Sequence, residues 1–296
     1  MKSFLTLTQK ISLWAIAALL LLNIFTWQHV FALAGPHYFS VDILDVGQGD
    51  AIFIETPDMR HILIDGGPDA LVMTRLQKLL PFWERRLDVA ALTHPDLDHL
   101  NGLLYVLQRY QVDYVVWTGI VRDGAPYQKW VELLAKAKQK GTRILTFTSG
   151  DRIKNGNAII TALHPFEDLS GQVFKNKGND TGIVLRAVYG ENTFLFTADT
   201  SSVVEEKIID AGADIASDVL KVGHHGSLYS TSEKFLEAVR PEIAVISVGA
   251  HNSYGHPTPE VLQRLEKSGI KTFRTDQDGT VKIVSDGDTI KINKNK

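Results

Sequence analysis

Thr93-His94-Pro95-Asp96-Leu97-Asp98-His99 carries two imidazoles and two carboxylates within six residues, His94 to His99. Before it stands an apolar run, Val89-Ala90-Ala91-Leu92. After it, Leu97, Leu100, Leu104 and Leu107 recur at the spacing of one helix face. The stretch therefore lies where a strand exits and a helix begins. Asp96 suits an N-cap, and acids favour a helix start. Capping explains one carboxylate, not two acids beside two histidines. Nitrogen and carboxylate donors without sulfur suit zinc, manganese or iron. The chain contains no cysteine, which excludes thiolate metal sites and disulfides.

Upstream, Val41, Ile43 and Leu44 sit in an extended run that stops at Gly47-Gln48-Gly49. Ala51–Glu55 and His61–Ile64 follow as strands, separated by a Pro57-Asp58 turn. Asp65 ends the second of these, as a turn residue or as a carboxylate that orients a ligating histidine. Downstream, Val112–Trp117 reads as a strand and 125–140 as a helix. Strands are expected to fill 142–163 and 181–198. Ser202-Val203-Val204-Glu205 reads as a capping box. Val219–Val222 and Ile243–Val248 are short apolar runs of the kind found in buried strands. Thr258-Pro259 starts another helix, and strands at 280–284 and 289–292 close the chain. This pattern is α/β and fits two mixed sheets packed together with helices outside. Asp88 to His94 and Asp218 to His224 echo each other as acid, buried strand and exit histidine. Two such strands can aim their histidines at one point.

Three further clusters carry polar chemistry. Gly223-His224-His225-Gly226-Ser227 flanks paired histidines with glycines, which permit a sharp turn and close approach to a ligand. Asp199, in Ala198-Asp199-Thr200, follows the buried run Phe194–Thr197. Asn252-Ser253-Tyr254-Gly255-His256-Pro257 is a polar loop able to bind an oxyanion or protonate a leaving group. Trp117 and Trp130 can stack bases, although packing is the commoner role. Lys175, Lys177 and Lys221 are isolated lysines, a kind that is usually solvated.

The first 34 residues are distinct. Ile11–Leu22 is almost unbroken apolar sequence, preceded by Lys2 and Lys10, and Ala32-Leu33-Ala34 gives a small-x-small pattern before Gly35. Residues 1–34 form a cleaved secretory signal or a retained membrane anchor, and both export residues 35–296. The net charge is -3, and those 34 residues hold two lysines and no acid. Such a balance gives no general attraction for nucleic acid; a nucleic-acid substrate needs a local basic groove or bound cations.

Together these motifs resemble the metallo-β-lactamase superfamily. More closely, the chain is similar to the soluble metallo-β-lactamase domain of ComEC-type competence proteins, DNA-uptake channels. The matching residues are Leu44-Asp45-Val46-Gly47-Gln48-Gly49-Asp50-Ala51, Leu63-Ile64-Asp65-Gly66-Gly67, Thr93 to His99, Gly223 to Ser227, and Tyr254-Gly255-His256-Pro257. The resemblance implies an αββα sandwich over 35–296 and a centre of two divalent ions, zinc or manganese. His94 and Asp96 would hold one ion, and Asp98, His99 and His224 (or its neighbour His225) the other, with Asp199 bridging. A water activated by the ions would attack, with Asp98 helping to position it. His225 and His256 would contact the substrate, alongside Asp65, Asn179, Ser227 and Tyr254 in supporting places. Asp96 replaces a histidine of the usual motif, as in the competence subgroup. The family's third-motif histidine has Asn179-Asp180-Thr181 in its place, and His164 lies further back. An oxygen-rich first site raises manganese relative to zinc. The implied activity is extracytoplasmic phosphodiester hydrolysis, with DNA as a candidate substrate. Ester or lactone hydrolysis is the rival within enzymes. A metal-stabilised protein that binds DNA or another polymer without cutting is the rival outside them.

Overall fold

The computed structural model describes residues 6–34, 38–174 and 178–295. It divides into two compact units, Met1–His37 and Tyr38–Lys296. The first contains helix α1 (Leu7–Ala34). Its segment Leu7–Trp27 has 21 residues and a mean hydropathy of 1.7. That is long and apolar enough to cross a bilayer, whose hydrocarbon core takes about 20 helical residues. Ala32-Leu33-Ala34 ends this helix, whereas Gly35, Lys175 and Lys177 lie outside the described residues.

The second unit is two sheets face to face with helices on both outer sides. Strands β1 (Phe39–Ile43), β2 (Ile52–Glu55) and β3 (His61–Ile64) are antiparallel neighbours. Helices α2 (Leu71–Leu79), α3 (Leu97–Arg109) and α4 (Ala125–Gln139) then cross over between parallel strands β4 (Arg86–Ala91), β5 (Gln111–Trp117) and β6 (Arg143–Thr146). The second sheet repeats this plan. Strands β7 (Arg152–Asn155), β8 (Ala158–His164), β9 (Val184–Tyr189) and β10 (Asn192–Phe196) are antiparallel. Helices α5 (Ser202–Asp210), α6 (Glu233–Val239) and α7 (Pro259–Lys267) then connect parallel strands β11 (Val219–Lys221), β12 (Ile243–Ile246) and β13 (Lys271–Arg274). A short helix α8 (Thr275–Asp278) leads to β14 (Thr280–Ser285) and β15 (Ile290–Asn295), which return to the first sheet beside β1.

The parallel halves explain the outer helices, because parallel strands need crossovers and crossovers cover a sheet face. Three apolar cores result. Val41, Ile54, Ile64, Phe194, Phe196 and Val219 fill the space between the sheets. Leu63, Leu100, Leu103 and Trp130 pack the first sheet against its helices. Leu195, Leu220, Phe235 and Leu265 do the same for the second. Trp117 packs beside Tyr127 and Trp130 in the first outer layer.

Two local expectations fail. Residues 179–181 form a 3-10 turn, so the strand in that region starts at Val184. The capping box is not made: Ser201 is the N-cap of α5 and makes no side-chain cap bond. The Glu205 carboxylate instead accepts from the backbone N–H groups of Thr231 and Ser232, the latter at 3.0 Å. A buried loop that needs acceptors has claimed the acid.

Candidate metal centre

The carboxyl ends of the parallel strands deliver polar side chains to one edge of the sandwich, the usual place for a site in such sheets. Asp65 follows β3, His94 follows β4, Asp199 follows β10, the His224-His225 pair follows β11, and Ser247 follows β12. Asp98 and His99 stand in the first turn of α3. Asp65 (φ 60°), Ala198 (φ 49°), His224 (φ 47°) and His225 (φ 54°) all lie in the left-handed region without being glycine. Strain of this kind persists where the surroundings over-determine it, and it clusters at functional sites. Gly49 (φ +141°) lets the loop after β1 press against α3: a Cβ there would meet the Asp98 carbonyl oxygen at 2.2 Å. Asp50 N–H donates to that same oxygen at 3.2 Å.

Asp98, His99, Asp199 and His225 offer four ligand atoms within 4.8 Å of one another. His225 Nε2 is 3.2 Å from Asp199 Oδ2 and 3.4 Å from Asp98 Oδ2. His99 Nε2 is 3.4 Å from Asp199 Oδ2. His94 stands beside them, with its ring centroid 4.1 Å from that of His99. Its Nε2 is 3.7 Å from Asp96 Oδ2.

The far side of each ring is fixed by an oxygen. His99 Nδ1 meets Asp65 Oδ2 at 2.8 Å, His225 Nδ1 meets the Ser247 carbonyl at 2.9 Å, and His94 Nδ1 meets Thr93 Oγ1 at 3.0 Å. Thr93 Oγ1 donates its own proton to Asp65, so it accepts from His94. These contacts put the Nδ1 proton outward and leave Nε2 as a lone pair facing the cluster. The Nε2 atoms of all three rings, with Asp199 Oδ1, are buried and have no hydrogen-bond partner. Buried polar atoms are rarely left so. A divalent ion satisfies them, and the donor set fits one.

Without an ion, protons settle the balance. Burial opposes a charge on His225, but Asp199, Asp98 and Asp50 outweigh it and push its pKa up to about 10. His99 is likewise raised well above the ordinary value by Asp199 and Asp65 against its burial. Burial alone would raise Asp199; His225 and His99 overcome that and hold it well below the usual carboxylate range. His94 goes the other way, to about 3, chiefly through burial and then through His99.

The structure assigns the paired histidines different surroundings. His225 is buried in the four-residue cluster. His224 Nε2 is 3.8 Å from Asp199 and 3.1 Å from Asn179 Nδ2, and its side chain is 32% exposed. The sequence left the ligand open between His224, named first, and His225; here His225 stands among the other donors and His224 beside them. His256 is 5.7 Å from His224, centroid to centroid, and Tyr254 stacks on His256 at 6.0 Å. Ser227 does not reach the cluster: its N–H donates to the His224 carbonyl and its Oγ accepts from Tyr229 N–H. Asp96 starts α3, yet its carboxylate caps nothing and pairs with Arg122 instead. His164 is buried elsewhere, on the Gly182 carbonyl at 2.9 Å.

Sequence reasoning missed Asp50 and Arg122, and it misjudged Lys221. Lys221 is fully buried. Its ammonium pairs with Asp50 and donates to the Ala198 carbonyl at 3.3 Å. A lysine inside the apolar run Val219–Val222 was the available signal, since a buried ammonium requires a partner.

The sequence profile of the metallo-beta-lactamase superfamily matches residues 44–251, a span that holds every ligand candidate in this cluster. The chain belongs to that superfamily. This domain is 31% identical over 259 residues to ComE operon protein 3 of Bacillus subtilis, covering 81% of this chain and 32% of that protein. It is 33% identical over 247 residues to competence protein ComA of Neisseria gonorrhoeae, covering 82% of this chain and 32% of that one. The chain thus spans about a third of the length of these relatives. Among solved structures, the metallo-beta-lactamase fold protein YhfI from Bacillus subtilis superposes with a TM-score of 0.52 at 12% identity, over 86% of this chain and all of that one. Igni18, a metallo hydrolase from Ignicoccus hospitalis, gives 0.50 at 18%, over 82% and 98%. At such identities the likeness is one of fold, and the αββα sandwich is the fold expected.

Proposed function

We propose that the chain is an extracytoplasmic metal-dependent phosphodiesterase that cleaves DNA. The observation that carries the metal part is the set of three buried, partnerless Nε2 atoms, of His94, His99 and His225, the last two within 3.4 Å of Asp199 Oδ2. The phosphodiester part is supported by the resemblance to competence proteins and by the polar rim around the cluster. Helix α1 supports export, as an anchor or a signal.

Bound divalent ions, zinc or manganese, supply Lewis acidity, a water of lowered pKa and charge neutralisation at a phosphate. His99, His225, Asp98 and Asp199 would hold one such ion, and His94 with Asp96 would hold another. Asp65 and the Ser247 carbonyl keep the imidazoles in the tautomer that ligation needs. Asp98, held ionised by His225 and His99 against its burial, can also orient the attacking water. His224 and His256 both have lowered pKa values, chiefly through burial. They are therefore neutral near pH 7 and can offer a ring N–H to a phosphate oxygen. Asn179 orients His224 for this.

The test is cleavage of labelled single-stranded DNA by the full chain, stripped with chelator and then resupplied with manganese or zinc. Cleavage that returns with the ion supports the reading. Failure to cut in either metal removes the nuclease.

A further inference from the structure

The two halves of the centre are not equivalent. Asp98, His99, Asp199 and His225 present four mutually close donors. On the other side, His94 brings a free Nε2, but its neighbour Asp96 is already engaged. The guanidinium of Arg122 holds Asp96 Oδ1, leaving only Oδ2 toward His94. Arg122 is itself fixed in place. It follows Val121, whose N–H donates to the Gln172 carbonyl at 2.8 Å. Gly178 closes over the pair: a Cβ there would stand 2.8 Å from Asp96 Oδ1 and 3.1 Å from Arg122 Nη1. Asn179, on the same turn, donates its amide N–H to His224 Nε2 at 3.1 Å.

We propose that Arg122 makes this centre asymmetric. One ion is held tightly by Asp98, His99, Asp199 and His225. A second, at His94 and Asp96, binds weakly because it competes with Arg122 for Asp96. The inference rests on the metal-hydrolase reading but concerns affinity, not turnover. A guanidinium keeps its charge at any working pH, so it cannot yield by deprotonating. One unit charge about 6 Å from a dication weakens binding about tenfold even in high dielectric.

The experiment is a manganese titration of the metal-free full chain, with free ion read by electron paramagnetic resonance. The wild type should show one tight and one weak equivalent. Arg122→Gln should leave the tight equivalent unchanged and tighten the weak one about tenfold or more. Arg122→Lys, which keeps the charge, should leave it weak. The Arg122 side chain is 23% exposed, so thermal melts of both variants check that each is folded at the titration temperature. Two equally tight ions in the wild type would overturn the asymmetry alone. A weak site that Arg122→Gln fails to tighten would show that the arginine shapes Asp96 for the ion instead of competing with it. No ion bound by the wild type at all would remove the metal reading itself.

Discussion

Loading the tight site should release about one proton per ion from His225 at pH 7.5. In the metal-free protein His225 is held at about 10, and His99 well above its ordinary value, by the carboxylates around them. His225 is then protonated at pH 7.5, and ligation through its Nε2 requires that proton to leave. Deprotonating His225 alone costs about 3 kcal/mol there, at about 1.4 kcal/mol for each pH step up to about 10. Apparent affinity should therefore rise about tenfold per pH unit from His225, with His99 acting in the same direction. Stability of the metal-free protein runs the opposite way. Folded-state pKa values raised above the unfolded ones contribute stability that is full below about pH 6.5 and lost as pH climbs toward 10. Calorimetric titration in two buffers of different ionisation enthalpy counts the protons, and melts of the metal-free protein from pH 6.5 to 9 read the stability. Ion uptake without proton release, or an affinity flat over that range, would refute this electrostatic account.

Other perturbations follow from single contacts. Asp65→Asn should weaken ion binding by about 10–100-fold while the protein stays folded, because Asp65 fixes the tautomer of His99; unchanged affinity in a competition with a chelating dye would contradict this. Lys221→Met should cost about 3–5 kcal/mol in urea unfolding, since it removes the ammonium paired with buried Asp50 and leaves that carboxylate only the His225 and His99 rings at 3.5 and 4.0 Å. Adding Asp50→Asn should recover part of the loss, and a single variant as stable as the wild type would show that the pair is not needed. Asp42, buried in β1, is raised to about 6 chiefly by desolvation, with Lys282 acting against it at 3.6 Å. A raised acid pKa penalises the folded state only above the unfolded value. Asp42→Asn should then be more stable than the wild type by about 1–3 kcal/mol at pH 8 and no more stable at pH 4, as melts at the two pH values would show.

The sequence displayed the candidate metal-binding turn because two acids and two histidines in six residues exceed what a helix cap needs. The repeated acid–strand–histidine pattern also corresponds to structure. Asp88 and Asp218 each accept from the backbone N–H of a neighbouring strand, His61 and Thr193 respectively, so both halves anchor their exit strands alike. The division of labour between His224 and His225 was not visible. It depends on two successive left-handed residues, a backbone state that residue types do not announce. Arg122 and Lys221 were hidden for another reason. Their partners Asp96 and Asp50 are distant in sequence and meet them only once the loops and sheets have assembled. Glu205 shows the converse, a local pattern overridden by a tertiary demand from Thr231 and Ser232.

Manganese-dependent cleavage of single-stranded DNA should be compared in the wild type, His225→Ala and His224→Ala, with bound metal quantified in each. The account predicts that the wild type binds metal and cuts. His225→Ala should lose both the tightly held ion and the activity, and His224→Ala should keep that ion while cutting more slowly. A His225→Ala protein that retains its metal and cuts like the wild type would contradict it.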